Sequence, residues 1–154
     1  MVIAKVKGIF SKSVQLFRDD EHIADISISS LKEKASFRYQ DREYSITKES
    51  AFKSNFSMTL NGVPLANGKK LSVWKYDTLV TVSSQEFLIK RSNWWNKNTD
   101  IFYSGRKIGA IKPKSVWSRD AILDVPVTIP IEVQIFMLLI TIFYWQRDQA
   151  ATSG

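Results

Sequence analysis

Most of the chain alternates apolar and polar residues in short runs such as Tyr44-Ser45-Ile46. A period of two is the mark of strands with one buried face. The exception is Ile129 to Arg147, IPIEVQIFMLLITIFYWQR, which leaves no room for a polar face. A helix apolar all round has to be buried somewhere. Pro130 suits its first turn, where a missing N–H costs nothing, and Glu132 complements the positive end of the helix dipole. Gln146 and Arg147 close the apolar stretch, so a helix is expected over about 129–147, with a frayed tail over 149–154. Either a bilayer or the inside of a protein could bury it. A membrane span needs about 20 apolar residues, whereas the clean run is Ile135 to Trp145. Length favours the protein interior, and a C-terminal tail anchor stands as the alternative.

The alternating part repeats itself. Arg42–Lys69 aligns with Gln85–Lys112 without a gap at an offset of 43 residues. Glu43/Glu86, Ile46/Ile89, Asn55/Asn98, Gly62/Gly105 and Lys69/Lys112 are identical, while Tyr44/Phe87, Phe52/Trp95, Met58/Ile101 and Leu65/Ile108 keep the apolar pattern. The register continues, with Ser72-Val73-Trp74 falling on Ser115-Val116-Trp117. A weaker first copy, at an offset of 42, sets Phe10 on Phe52, Leu16 on Met58, Asp20 on Gly62 and Ile23 on Leu65. Self-similarity at such a period marks an array of one supersecondary unit. Each unit, about 2–41, 42–84 and 85–127, is expected to hold four short strands. Asn61-Gly62 and Ser104-Gly105 suit the positive φ angles of a two-residue hairpin, and Asp19-Asp20 is a poorer version. The fourth strands are expected at Ser36–Gln40, Leu79–Ser83 and Ala121–Val125, with Gln40-Asp41-Arg42 turning the first copy into the second.

Three units of four make twelve strands ahead of the helix. A sheet that long tends to close and remove its edges, and a barrel that wide has an interior that strand side chains alone do not fill. A helix apolar on every side would fill it. The expected fold is therefore mainly β: a twelve-stranded antiparallel closed barrel of three four-stranded repeats around a C-terminal central hydrophobic α-helix, one domain over 1–148. These features, with the Trp94-Trp95 turn ahead of the Gly hairpin that runs to Gly109 and the Pro130–Phe136 helix start, resemble the tubby C-terminal-like superfamily. That group includes tubby domains, LURP-one-related plant proteins and phospholipid scramblases. The resemblance covers roughly residues 2–147, fits a small single-domain member, and implies both the fold and a ligand class, anionic phospholipid or phosphoinositide headgroups.

Composition narrows the chemistry. At 154 residues, 44% apolar and 12% aromatic, the chain is the size of one domain with a sizeable core. Without cysteine there is no disulfide framework, thiolate metal site or cysteine nucleophile, and one histidine, His22, cannot make a multi-histidine site. The glycines are isolated at turns, so no Gly-rich phosphate loop exists. Acid pairs such as Asp19-Asp20 and Asp41/Glu43 fall at turns or strand edges, where they read as solvated turn residues rather than catalytic pairs. No enzyme activity, cofactor or metal is expected. The N-terminus has no apolar block of signal-peptide length, so a cytoplasmic location is expected, with peripheral attachment to a membrane.

The charge is uneven. Of the net +7, an excess of six lies in Gln85–Arg119, where Lys90, Arg91, Lys97, Arg106, Lys107, Lys112, Lys114 and Arg119 face Glu86 and Asp100. Such an excess favours phosphate-bearing partners, against the blander reading of a solvated basic face. Lys90, Arg91 and Lys97 flank Trp94-Trp95, and a tryptophan beside lysines is how a membrane-interface anchor looks. The expected headgroup residues are Lys97, Arg106, Lys107, Lys112, Lys114 and Trp94. Nucleic acid ranks lower, because inward and outward strand faces already explain the alternation of aromatic and basic residues. The reading is a monomeric, non-enzymatic binding module for anionic phospholipid surfaces. Its alternatives are a scaffold for a protein partner and a tail-anchored membrane protein.

Overall fold

A computed structural model describes residues 1–8, 12–29, 31–49, 55–72, 75–92, 97–115 and 118–153. Twelve strands come first: β1 (Val2–Lys7), β2 (Lys12–Arg18), β3 (Glu21–Ser29), β4 (Lys34–Tyr39), β5 (Arg42–Lys48) and β6 (Asn55–Leu60). They continue as β7 (Val63–Lys70), β8 (Thr78–Val82), β9 (Gln85–Arg91), β10 (Thr99–Tyr103), β11 (Arg106–Pro113) and β12 (Ala121–Asp124). Each strand is antiparallel to its sequence neighbour, and β1 closes the barrel on β12 through Val2↔Leu123, Ile3↔Ile122 and Ala4↔Ala121. The closed antiparallel barrel of twelve strands is thus the architecture that the hydrophobic alternation implied. Along β3, for example, Ala24, Ile26 and Ile28 are buried between exposed residues. Register shifts occur at Leu16/Phe17, Met58/Thr59 and Ile101/Phe102, each in a hairpin that the sequence alignment equates.

The helix α1 (Ile131–Ser153) runs through the barrel. Val133 to Trp145 are all buried, against inward residues such as Leu16, Ile46, Met58, Ile101 and Leu123. Thirteen helical residues span about 20 Å, close to the length of a six-residue strand, so the apolar run matches the depth of the lumen. Each large side chain that it buries is worth about 1.5–3 kcal/mol. Both buried polar side chains of the helix have partners: Gln134 Nε2 donates to the Ile129 carbonyl, just ahead of the helix, at 2.8 Å and Thr141 Oγ1 to the Met137 carbonyl at 2.9 Å. Among the described residues no helix is long and apolar enough to cross a membrane. The barrel supplies the burial that the tail-anchor alternative assigned to a bilayer.

The helix also corrects an expectation. It continues to Ser153, where the sequence suggested an end at Arg147 and a frayed tail from 149. Residues 146–151 contain no glycine or proline to stop it. Arg147 and Asp148 are in addition tied to the barrel rim by ion pairs with Glu33 and Arg91.

Candidate functional site

Strand direction sorts the connections into two ends. One end carries five two-residue reverse turns, at 19–20, 40–41, 61–62, 83–84 and 104–105. In four of them both central residues have positive φ, with Gly62 at 83° and Gly105 at 76°, as the Asn-Gly and Ser-Gly pairs suggested. The other end carries the longer connections 8–11, 30–33, 49–54, 71–77, 92–98 and 114–120, together with the last turns of α1. Four of these close at the base with one backbone bond of 2.8–2.9 Å, from Glu49 N to Asn55 O, Leu71 N to Asp77 O, Ser92 N to Asn98 O and Lys114 N to Asp120 O.

Charge follows the same division. In the long connections and the strand residues bounding them, the described bases are Lys7, Lys12, Lys32, Lys34, Lys48, Lys70, Lys75, Arg91, Lys97, Lys114 and Arg119. They face four acids, Glu33, Glu49, Asp77 and Asp120. The turns at the opposite end and their bounding residues hold Arg18, Arg42 and Arg106 against Asp19, Asp20, Glu21 and Asp41. The barrel is therefore basic at its loop end and slightly acidic at its turn end.

This geometry divides the residues that sequence alone had grouped. Lys97 and Lys114 stand at the loop end, with Lys112 just below them on the outer face of β11. Arg106 and Lys107 begin the same strand at the turn end. Seven residues separate Lys107 from Lys114, about 23 Å of strand, so one headgroup cannot meet both. Lys107 Nζ lies 2.9 Å from Asp100 Oδ1, and across the pairings it borders an outward apolar row of Phe102, Leu88 and Leu79 that ends at Lys69. Trp94 lies outside the described residues. Sequence reasoning missed Lys12, Lys32, Lys34 and Lys75, because counting charge along the chain does not show which ends of which strands meet.

Where α1 leaves the lumen, its residues meet the rim. Arg147 pairs with Glu33 through Nε at 2.9 Å and through Nη2, and Lys48 stands 3.6 Å from the same carboxylate. Arg91 Nη2 lies 2.7 Å from Asp148 Oδ2, and its guanidinium packs over the Tyr76 ring with Lys70 also close. Burial, followed by a hydrogen bond to Asp148, pushes the Tyr76 phenol up. Burial and then Arg147 push Lys70 down. Tyr144 stacks on Tyr76 at 4.6 Å, and its hydroxyl lies 2.7 Å from Thr78 Oγ1, which donates on to the Tyr76 carbonyl. Its phenol is pushed up to about 12, chiefly by burial. Trp145 Nε1 donates to the Lys97 carbonyl at 3.0 Å.

Among the described residues no group of three or more His, Cys, Asp or Glu is placed to hold a metal ion. Comparisons with protein-family models, with curated proteins and with solved structures found no match.

Proposed function

We propose that the protein is a non-enzymatic binding module whose loop end docks on anionic phospholipid surfaces. A small tubby-like domain with a threefold internal repeat belongs to the same proposal. The repeat is supported by the register shifts at the aligned positions Leu16, Met58 and Ile101. The observation that carries the function is the gathering of bases from all six long connections onto one end of a barrel whose opposite end is slightly acidic. Such a dipolar charge distribution orients a protein at a negative surface, where each lysine or arginine contributes on the order of 1 kcal/mol.

Sedimentation with phosphatidylserine-containing vesicles tests it. Replacing Lys32, Lys34, Lys75 and Lys114 together by glutamine should abolish vesicle binding, and each alone should weaken it modestly. Added salt should release the protein, because attraction of this kind is screened within about 10 Å at 0.1 M. Arg106→Gln with Lys107→Gln, at the turn end, should leave binding intact. No binding to strongly anionic vesicles at low salt would reject a lipid surface and leave a protein-binding scaffold as the better reading.

A further inference from the structure

Three bases of the loop end stand apart from the ion pairs of the rim. Lys12, Lys97 and Arg119 line a cleft beside the emerging helix, together with Ser118, Trp145 and Gln146, and none of its lining residues is acidic. The nearby carboxylates are engaged elsewhere: Glu33 with Arg147 and Lys48, Asp148 with Arg91, and Asp120 Oδ1 with the Val6 N–H at 3.0 Å. Burial and then Arg119 push Lys12 down, so the like charges face each other at a cost that a bound anion would remove.

The walls are fixed. The Lys97 carbonyl accepts Trp145 Nε1, Arg119 Nη1 donates to the Gly8 carbonyl at 3.2 Å, and Ser118 Oγ accepts the Asp120 N–H at 3.0 Å. Arg119 retains further N–H donors beyond the one given to Gly8. The cleft has about 40 Å³ of interior space, enough for about three water-sized groups. A single oxyanion tip fits there, and a sugar or inositol ring does not.

We propose that this cleft binds a phosphate monoester group, with Lys12, Lys97 and Arg119 around its charged oxygens. Phosphate matches the site because it is multiply charged near neutral pH and meets three cationic side chains there. Arginine and lysine both suit its oxygens. The site shares the loop end with the vesicle-docking face but uses none of the four lysines substituted to test that face.

The test is titration calorimetry of the full chain, at constant ionic strength, with inorganic phosphate and with glycerol phosphate. One saturable site is expected. Lys12→Gln and Arg119→Gln should each weaken it about tenfold, equivalent to about 1.4 kcal/mol, while Arg106→Gln should leave it unchanged. Vesicles containing phosphatidic acid then separate the sources. Competition between them and glycerol phosphate for the cleft identifies a lipid headgroup, and binding of the soluble esters alone identifies a free metabolite; both support the site. Absence of binding by either soluble probe, or equal binding by the Lys12→Gln/Arg119→Gln double variant, overturns it. Vesicle binding by that double variant would still uphold the docking proposal.

Discussion

The two ends of this barrel solve the same problem, reversing the chain, by different means. At the turn end the backbone does it, with paired residues such as Asn61 and Gly62 at positive φ and few side-chain bonds. Asn61 is the exception, since its Oδ1 accepts the Glu43 N–H while its own N–H reaches the Glu43 carbonyl, tying neighbouring hairpins together. At the loop end the reversals are longer, and side chains fasten them to the helix through Glu33–Arg147, Arg91–Asp148 and Trp145 with the Lys97 carbonyl. Tight turns leave little surface that can vary, whereas long connections present charged side chains. On the proposed function, recognition belongs to the loop end, and the turn end serves only to reverse the chain.

Both ends depend on the plug between them, so the largest effect is expected there. Leu139 is fully buried, and Leu139→Lys should prevent folding, because an unpaired buried charge costs several kcal/mol. Circular dichroism and denaturant titration would show it. A folded, soluble fragment lacking Ile129–Gly154 would refute the plug and erase the contrast between the ends.

The next effect belongs to the turn end. A Cβ on Gly109 would lie 2.3 Å from the Asp124 carbonyl oxygen and 2.7 Å from Val125 Cγ1, where the chain leaves β12 for the helix. The obstruction is backbone, so Gly109→Ala should destabilise by about 2–3 kcal/mol. Gly105→Val meets open space but has φ at +76°, and should cost about 1 kcal/mol through strain alone. Neither substitution should weaken phosphate or vesicle binding under conditions where the variant is folded. A loss of binding without a loss of stability would break the division between the ends.

An effect confined to high pH sharpens the loop end. The Tyr144 phenol has its folded pKa raised to about 12 from 10, so its contribution to stability is fully present below pH 10 and is lost as the pH rises through about 12. Denaturant midpoints across that window should fall with pH. They should fall less in Tyr144→Phe, which cannot ionise; an unchanged slope would show that burial beside Thr78 does not hold the proton.

Much of this was legible in the sequence, for reasons that individual residues show. Alternation marks strands because successive side chains point to opposite faces, and Ile135 to Trp145 announced a buried helix because no polar stripe was available. Gly62 and Gly105 marked turns because few residues tolerate positive φ. The cleft proposed to bind phosphate was not legible. Lys12 and Arg119 are 107 positions apart, and only the β1–β12 closure brings the start of β2 and the connection ahead of β12 to one stretch of the rim.

The sequence by itself therefore determined the local matters: which residues form strands, where the chain reverses, which segment must be enclosed, and that no cysteine chemistry is available. These follow from covalent geometry and from solvation of one residue and its near neighbours. The tertiary structure alone decided how charge is distributed. It split Arg106 and Lys107 from Lys112 on the same strand and from Lys114 just beyond its end, and it joined Lys12 to Lys97 and Arg119 across the chain. Electrostatic attraction depends on distance in space, and in a closed antiparallel barrel that distance is set by strand direction rather than by separation along the chain.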